Sequence, residues 1–251
     1  CVANGKLLKE NIFENIYIQP ASGDAGGSLG AALCAYYMFK KKKRLINYKY
    51  DSMKGSFLGP NFTNNQIQKT LEDMGANYTY LDEDNIIKET VMALKNGKAI
   101  GWMQGKMEFG PRALGARSII ADPRSVKMQK QLNLKVKYRE SFRPFAPSIL
   151  IEHLNEWFDI DKNKSSPYML IVADIVKEKQ IPTNEKDENL FGIEKLNLQR
   201  SSLPAITHVD YSARIQTVHN ETNPKYYKLL KNFKEITKCP ILVNTSFNVR
   251  G

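Results

Sequence analysis

The strongest constraint on this chain is the irregular order in which two hydrophobic periods follow one another. The short apolar runs "AIGWMQG", "FAPSIL", "YMLIVADIV", "SARIQTV" and "CPILVNTSF" have strand character. "NYTYL" alternates in the same way. Between them lie stretches with helical spacing: "TNNQIQKTLEDMG", "DEDNIIKETVMALKNGK", "SVKMQKQLNLKVK" and "NPKYYKLLKNFKEIT". In the first of these Thr63 is an N-cap, Ile67 and Leu71 recur four residues apart, and Gly75 stops the helix; Gly97 ends the second. Helices and strands mix without a regular βαβ alternation. That predicts an α+β fold with a mixed, twisted sheet.

The chain divides into unequal parts. Residues 1–39 read as strand, loop, then the Gly-rich "SGDAGGSLGAALCAYYMF", whose small residues open a helix with the apolar density of a buried one. The run "KKKKR" and the Gly/Pro-marked chain after it make residues 40–53 a linker. Its lysines suit the C-terminal end of a helix dipole, and phosphate is their other reading. Residues 54–251 form the second unit, with residues 177–201 as a polar surface excursion. The start at Cys1 and the end inside "ILVNTSFNVRG" give the reading of a fragment. Cys1, Cys34 and Cys239 have no CxxC or Cys/His spacing, which suits a reducing, cytoplasmic compartment and speaks against structural zinc. No apolar run is long enough to span a membrane. The net charge of +11 suits a polyanionic partner, either nucleic acid or a phosphorylated small molecule, or else a lysine-rich soluble surface.

Polar residues gather where strands end. "MQGKMEFGPRALGARSI" puts Glu108, Arg112 and Arg117 on a turn stiffened by Gly and Pro, directly after a strand. "LKVKYRESFRPFAPS" holds Lys135, Lys137, Arg139, Glu140 and Arg143. "THVDYSARIQTV" holds His208, Asp210 and Arg214, and "LVNTSFN" holds Asn244, Ser246 and Asn248. Arg supplies a planar fork of donors and Lys a point charge, and Ser and Asn bond without adding charge. Cations that converge on one sheet edge need carboxylate partners or an anionic ligand, because unpaired buried charge is costly. Both answers stay open at this point. Arg112 can pair with Glu108, Arg139 or Arg143 with Glu140, and Arg214 with Asp210. His208 beside Asp210 reads as a structural histidine or as a base.

These stretches, with "GWMQGKMEFGPRALGARSIIADPR" and "CPILVNTSFN" foremost, resemble the C-terminal part of the nodulation and antibiotic-type O-carbamoyltransferases, the family of the tobramycin and cephem carbamoyltransferases. The start, "CVANGKLLKENIFENIYIQPASGDAGGSLGAAL", resembles the end of that family's first domain, a sugar-kinase/actin-like fold. The resemblance implies a YrdC-like α+β domain over residues 54–251. Such a domain makes carbamoyl adenylate from carbamoyl phosphate and ATP with magnesium. The other domain then transfers the carbamoyl group to a hydroxyl of a small acceptor, with an iron-type divalent metal. By the same resemblance Arg112, Lys137 and Arg214 are catalytic, and Arg139, Arg143, His208, Asn244 and Ser246 join them in binding carbamoyl phosphate and ATP. Asp24 is a metal ligand, and Gly26 and Gly27 form the nucleotide loop of the first domain. The family's histidine ligands have no counterpart here. The second reading is a YrdC-like RNA-binding or tRNA-modification module, and the third a purely structural one. Aromatics that sit in core-like patterns, not interleaved with Arg, argue against nucleic acid. Nothing in the residues singles out one acceptor or an oligomeric state.

Overall fold

The computed structural model describes residues 1–14, 16–45, 51–184, 187 and 189–248. Residues 46–50 of the expected linker and part of the 177–201 excursion lie outside the described residues. In chain order the elements are α1 (Val2–Lys9), α2 (Asp24–Cys34, running into a π-turn at Ala35–Phe39), α3 (Asn64–Asp73), α4 (Glu83–Lys95), β1 (Ile100–Met103), β2 (Arg117–Ala121), α5 (Met128–Lys135), β3 (Ala146–Leu150), α6 (Leu154–Trp157), β4 (Phe158–Asp159), β5 (Ile171–Ile175), α7 (Gly192–Leu196), β6 (Ser212–Val218), α8 (Pro224–Thr237) and β7 (Ile241–Ser246).

Among the described residues the strands form one seven-stranded sheet in the order β1-β2-β7-β3-β6-β5-β4. β3 and β6 run parallel, and the other neighbours are antiparallel. This is the mixed sheet that the alternation predicts. β3 and most of β7 lie in its middle, buried on both faces. That explains why they read as continuous apolar runs. α4 and α8 supply the apolar stripe that covers the sheet, through Ile87, Val91 and Leu94 on one and Tyr226, Leu229, Leu230 and Phe233 on the other. The ends form as their residues dictate. Thr63 and Gln66 make a reciprocal capping box at α3, and Gly75 and Gly97 take the left-handed conformation that stops α3 and α4. Cys239 is a core residue, and burial pushes its thiol up to about 12.

Three local expectations are corrected. Residues 2–9 form a helix instead of a strand. α1 lies on β5 so closely that a Cβ at Gly5 would stand 2.2 Å from the Val172 carbonyl oxygen, so only glycine fits. Asn4 donates to the Leu170 carbonyl at 2.9 Å, and Lys9 pairs with Asp174. These tertiary bonds override the local pattern. Residues 77–81 join no strand among the described residues; Tyr78 instead donates its hydroxyl to Glu72 of α3 at 3.1 Å. α2 is apolar as expected, but none of its residues is buried. The sequence reading also passed over β2, whose apolar residues follow directly on a polar turn.

Candidate anion-binding site

The turn between β1 and β2 is organised by Glu108. This buried carboxylate accepts through Oε1 from the backbone N–H groups of Leu114 and Ala116, each at 2.7 Å, and of Arg117 at 3.2 Å. Arg117 closes the turn from the other side. It donates to the carbonyls of Gln104 (2.8 Å), Ala116 (2.9 Å), Gly105 (3.1 Å) and Pro60 (3.3 Å). Gly115, at φ +100°, lets the turn press on the Tyr226 ring, where a Cβ would stand 2.4 Å away. The Glu108–Arg112 ion pair, one of the two readings left open, does not form; one oxygen of the carboxylate takes the three backbone amides instead. Arg112 is left with its Nε buried and without a hydrogen-bond partner.

A row of polar side chains crosses the sheet beneath this turn. Ala146 pairs with Asn244, and Ser148 pairs with Gln216. Side chains two residues apart on a strand share a face. That puts Arg214 and Gln216 of β6, Ser148 of β3, and Asn244 and Ser246 of β7 on one face. Gln216 donates through Nε2 to the Leu114 carbonyl at 2.9 Å and accepts at Oε1 from Ser148 Oγ (2.5 Å) and Asn244 Nδ2 (2.8 Å). Asn244 Nδ2 also donates to the Ala113 carbonyl at 3.1 Å, while its Oδ1 is buried without a partner. Arg214 Nε is likewise buried and unpartnered. Burial first, and then the charge of Arg112, push the Arg214 guanidinium down to about 10, so it remains charged at neutral pH. The Asp210–Arg214 pair does not form either, since Asp210 accepts from His208 and from Ser212.

Arg112, Arg139, Arg214, Asn244 and Ser246 line a common cavity of about 180 Å³. An adjoining lobe of about 340 Å³ shares Arg139 and Ser246 and adds Lys137, Arg143 and Asn248. Lys137 is buried with its ammonium on the end of β7. It donates to the carbonyls of Ser246 and Asn248 and, at 2.9 Å, to Asn248 Oδ1. Burial, and secondarily Arg139, push it down to about 8. Arg139 donates to Asn133 Oδ1 at 2.7 Å and stacks over Phe145 at 4.9 Å. Arg143 is exposed and bound to Glu140 at 3.0 Å, which is the structural pairing left open for it. Glu140 is the carboxylate lining these lobes, and Arg143 engages it. The cations around the shared space are therefore uncompensated, as an anion site requires.

Of the residues that the resemblance nominates, the structure brings Arg112, Arg139, Arg214, Asn244 and Ser246 around one cavity and Lys137 and Arg143 to its neighbour. His208 does not line that cavity or its adjoining lobe; it lines two neighbouring cavities, one of them together with Arg214, and is bonded to Asp210 at 3.1 Å. Asp24 stands exposed at the start of α2. Among the described residues no group of three His, Cys, Asp or Glu side chains could hold a metal ion, so no step is derived through one. Gly26 packs on the Ala21 carbonyl, and Gly27 faces open space. The organisers Glu108, Ser148 and Gln216 were not foreseen. The signal for two of them was present: Ser148 and Gln216 are polar residues at period two inside buried strands.

A family model described as the carbamoyltransferase C-terminus matches residues 91–251, and one described as the carbamoyltransferase N-terminus matches residues 1–33. The chain is 56% identical over its whole length to the uncharacterized protein sll1178 of Synechocystis sp. and 40% identical, over 99% of its length, to nodulation protein NolO of Bradyrhizobium diazoefficiens. It is 31% identical, again over its whole length, to a 3'-hydroxymethylcephem-O-carbamoyltransferase of Amycolatopsis lactamdurans. It spans 41% of the length of each of these relatives.

Proposed function

The chain belongs to the carbamoyltransferase family, and from that membership we propose that its cation-lined cavity binds carbamoyl phosphate for an ATP-dependent O-carbamoyl transfer. One observation carries the reading. Two buried donors, Arg112 Nε and Arg214 Nε, and one buried acceptor, Asn244 Oδ1, lack partners, and their residues line a common cavity. Buried polar groups in a folded protein are nearly always bonded, so orphans gathered at one cavity call for a ligand. That ligand must offer acceptors and negative charge to the guanidiniums and a donor to the amide. Carbamoyl phosphate has both.

In this reading Arg112 and Arg214 hold the phosphoryl group, and Asn244 holds the carbamoyl amino group. Lys137, Arg139 and Ser246, in the adjoining lobe, meet the phosphates of ATP. For the atoms to balance, water takes the phosphoryl group of carbamoyl phosphate, freeing carbamate and inorganic phosphate. A carbamate oxygen then attacks the α-phosphorus of ATP, pyrophosphate leaves, and carbamoyl adenylate remains. Bringing these anions together is a matter of fixed opposing charge and positioning, and no covalent nucleophile of the protein is required. We assign the sheet domain to the YrdC-like fold. Transfer to a hydroxyl of a small acceptor is assigned to the domain of which residues 1–39, with Asp24, form one end.

Thermal unfolding tests the anion site. Carbamoyl phosphate is expected to raise the Tm of the wild-type chain, since a ligand that binds only the folded state stabilises it. Arg112→Ala is expected to abolish that rise and leave the unliganded Tm nearly unchanged. Absence of a rise in the wild type, RNA binding without any response to carbamoyl phosphate, or outright unfolding of the variant would each overturn the reading.

A further inference from the structure

We propose that Gln216 is a positioning residue that acts through Asn244 and makes the cavity select the amino group of a carbamoyl ligand over a methyl group. The proposal rests on the carbamoyl phosphate reading above and adds to it the origin of acyl-group specificity. A side-chain amide can turn over and exchange its donor for its acceptor, so the direction of Asn244 needs a cause. That cause lies in two backbone carbonyls of the turn, which cannot turn over.

The Leu114 carbonyl accepts from Gln216 Nε2 at 2.9 Å, which directs Gln216 Oε1 toward Ser148 Oγ and Asn244 Nδ2. The Ala113 carbonyl accepts from Asn244 Nδ2 at 3.1 Å. Turning Asn244 alone would set its oxygen against both the Ala113 carbonyl and Gln216 Oε1. Turning both amides together would restore the bond between them, but it would set each oxygen against a backbone carbonyl. Only the observed sense leaves no two acceptors facing each other. It places Asn244 Oδ1, buried and unpartnered, at the cavity lined by Arg112 and Arg214.

The consequence is a chemical filter. Inorganic phosphate, acetyl phosphate and carbamoyl phosphate all present acceptor oxygens to the guanidiniums. Of the two acyl phosphates only the carbamoyl one carries N–H donors; acetyl phosphate puts a methyl group against the orphaned oxygen. A methyl group cannot bond that acceptor and keeps water from it, so the buried oxygen stays unsatisfied. Ser148 and Gln216 are both buried among the strands, so neither reaches the ligand directly.

Titration calorimetry with the three phosphates tests this in the intact chain. The wild type should bind carbamoyl phosphate on the order of tenfold or more tighter than acetyl phosphate, as expected when a buried acceptor loses its donor. Gln216→Met keeps the length of the side chain and removes both of its bonds. It should bring the carbamoyl-to-acetyl ratio toward one while inorganic phosphate binds nearly as before. A purely structural role would instead weaken all three ligands together. Wild-type protein that binds phosphate but takes both acyl phosphates equally would overturn the proposal and leave the anion site standing. Wild-type protein that binds none of the three would remove the anion site itself. A wild-type ratio near one overturns the proposal even if the variant does not fold.

Discussion

Arg117 and Arg112 leave the same turn, and their surroundings differ in kind. Arg117 donates to backbone carbonyls around the turn, while Arg112 has a buried Nε that meets nothing. The contrast extends to the regions they belong to. The floor, made of Glu108, Gln216, Ser148 and Arg117, bonds to the backbone, within itself and, through Gln216, to Asn244. The cavity beside it, made of Arg112, Arg214 and Asn244, leaves an atom of each orphaned. Both regions draw on the same residue types and the same turn. A chain able to satisfy Glu108 with three amides had the means to satisfy Arg112 as well. On the proposed reading the open valences belong to a ligand site, and that reading predicts opposite responses to mutation in the two regions.

The largest effect belongs to the floor. Glu108→Ala strands three amide donors, two of them on buried residues. It should lower stability by about 3 kcal/mol or more, read from urea unfolding. Glu108→Gln, which keeps an acceptor in place, should lose clearly less. Equal losses would show that the carboxylate contributes by charge alone and would blur the distinction between floor and cavity.

The cavity should respond with the other sign. Arg214→Met removes a partly buried cation that lacks a carboxylate partner and stands near Arg112. The unliganded protein should gain up to about 1 kcal/mol, while the rise in Tm with carbamoyl phosphate disappears. A variant less stable than the wild type would place Arg214 with the floor.

Lys137 stands between the two regions, bonded like the floor yet charged and without a carboxylate. Its folded pKa of about 8 lies below the value near 10.4 expected for an unfolded lysine. Between those values the unfolded chain carries a proton that the folded chain has lost. Stability should therefore climb as pH rises from about 8 to about 10, and it should be lowest, as far as this group decides, below 8. The slope should vanish in Lys137→Met. A slope of the opposite sign would mean that an acidic partner holds the ammonium in its charged form.

The sequence made the cavity legible because its cations sit beside strand ends, where alternation gives way to turn residues. That position made Arg112, Arg139, Arg214, Asn244 and Ser246 candidates, with ion pairing left open, and the family resemblance joined them in one site. The floor was harder to read. Glu108 has Arg112 as its obvious partner four residues on, and nothing local announces that backbone amides will displace it. Gln216 and Ser148 look like tolerated polar residues until the parallel pairing of β3 with β6 sets them side by side. Fold errors have the same origin. α1 is helical through its contacts with β5, far away in sequence, and "NYTYL" has the period of a strand without a strand to join. The Thr63 cap of α3 and the glycine stops of α3 and α4, which depend on a few adjacent residues, form as the sequence predicts.

The place of β7 in the sheet also bears on the order of events during folding. It follows every other described strand, yet it lies between β2 and β3. Until it arrives, β2 and β3 present bare edges to one another, and the sheet remains in two pieces. Asn244 and Ser246 come in on that same strand. Completing the sheet and assembling the cavity therefore both depend on the docking of β7, whose pairing with β2 is distant in sequence. A chain emerging from the ribosome holds the arginines first and the amide that would read the ligand last. No half-built sheet can engage the ligand through that amide.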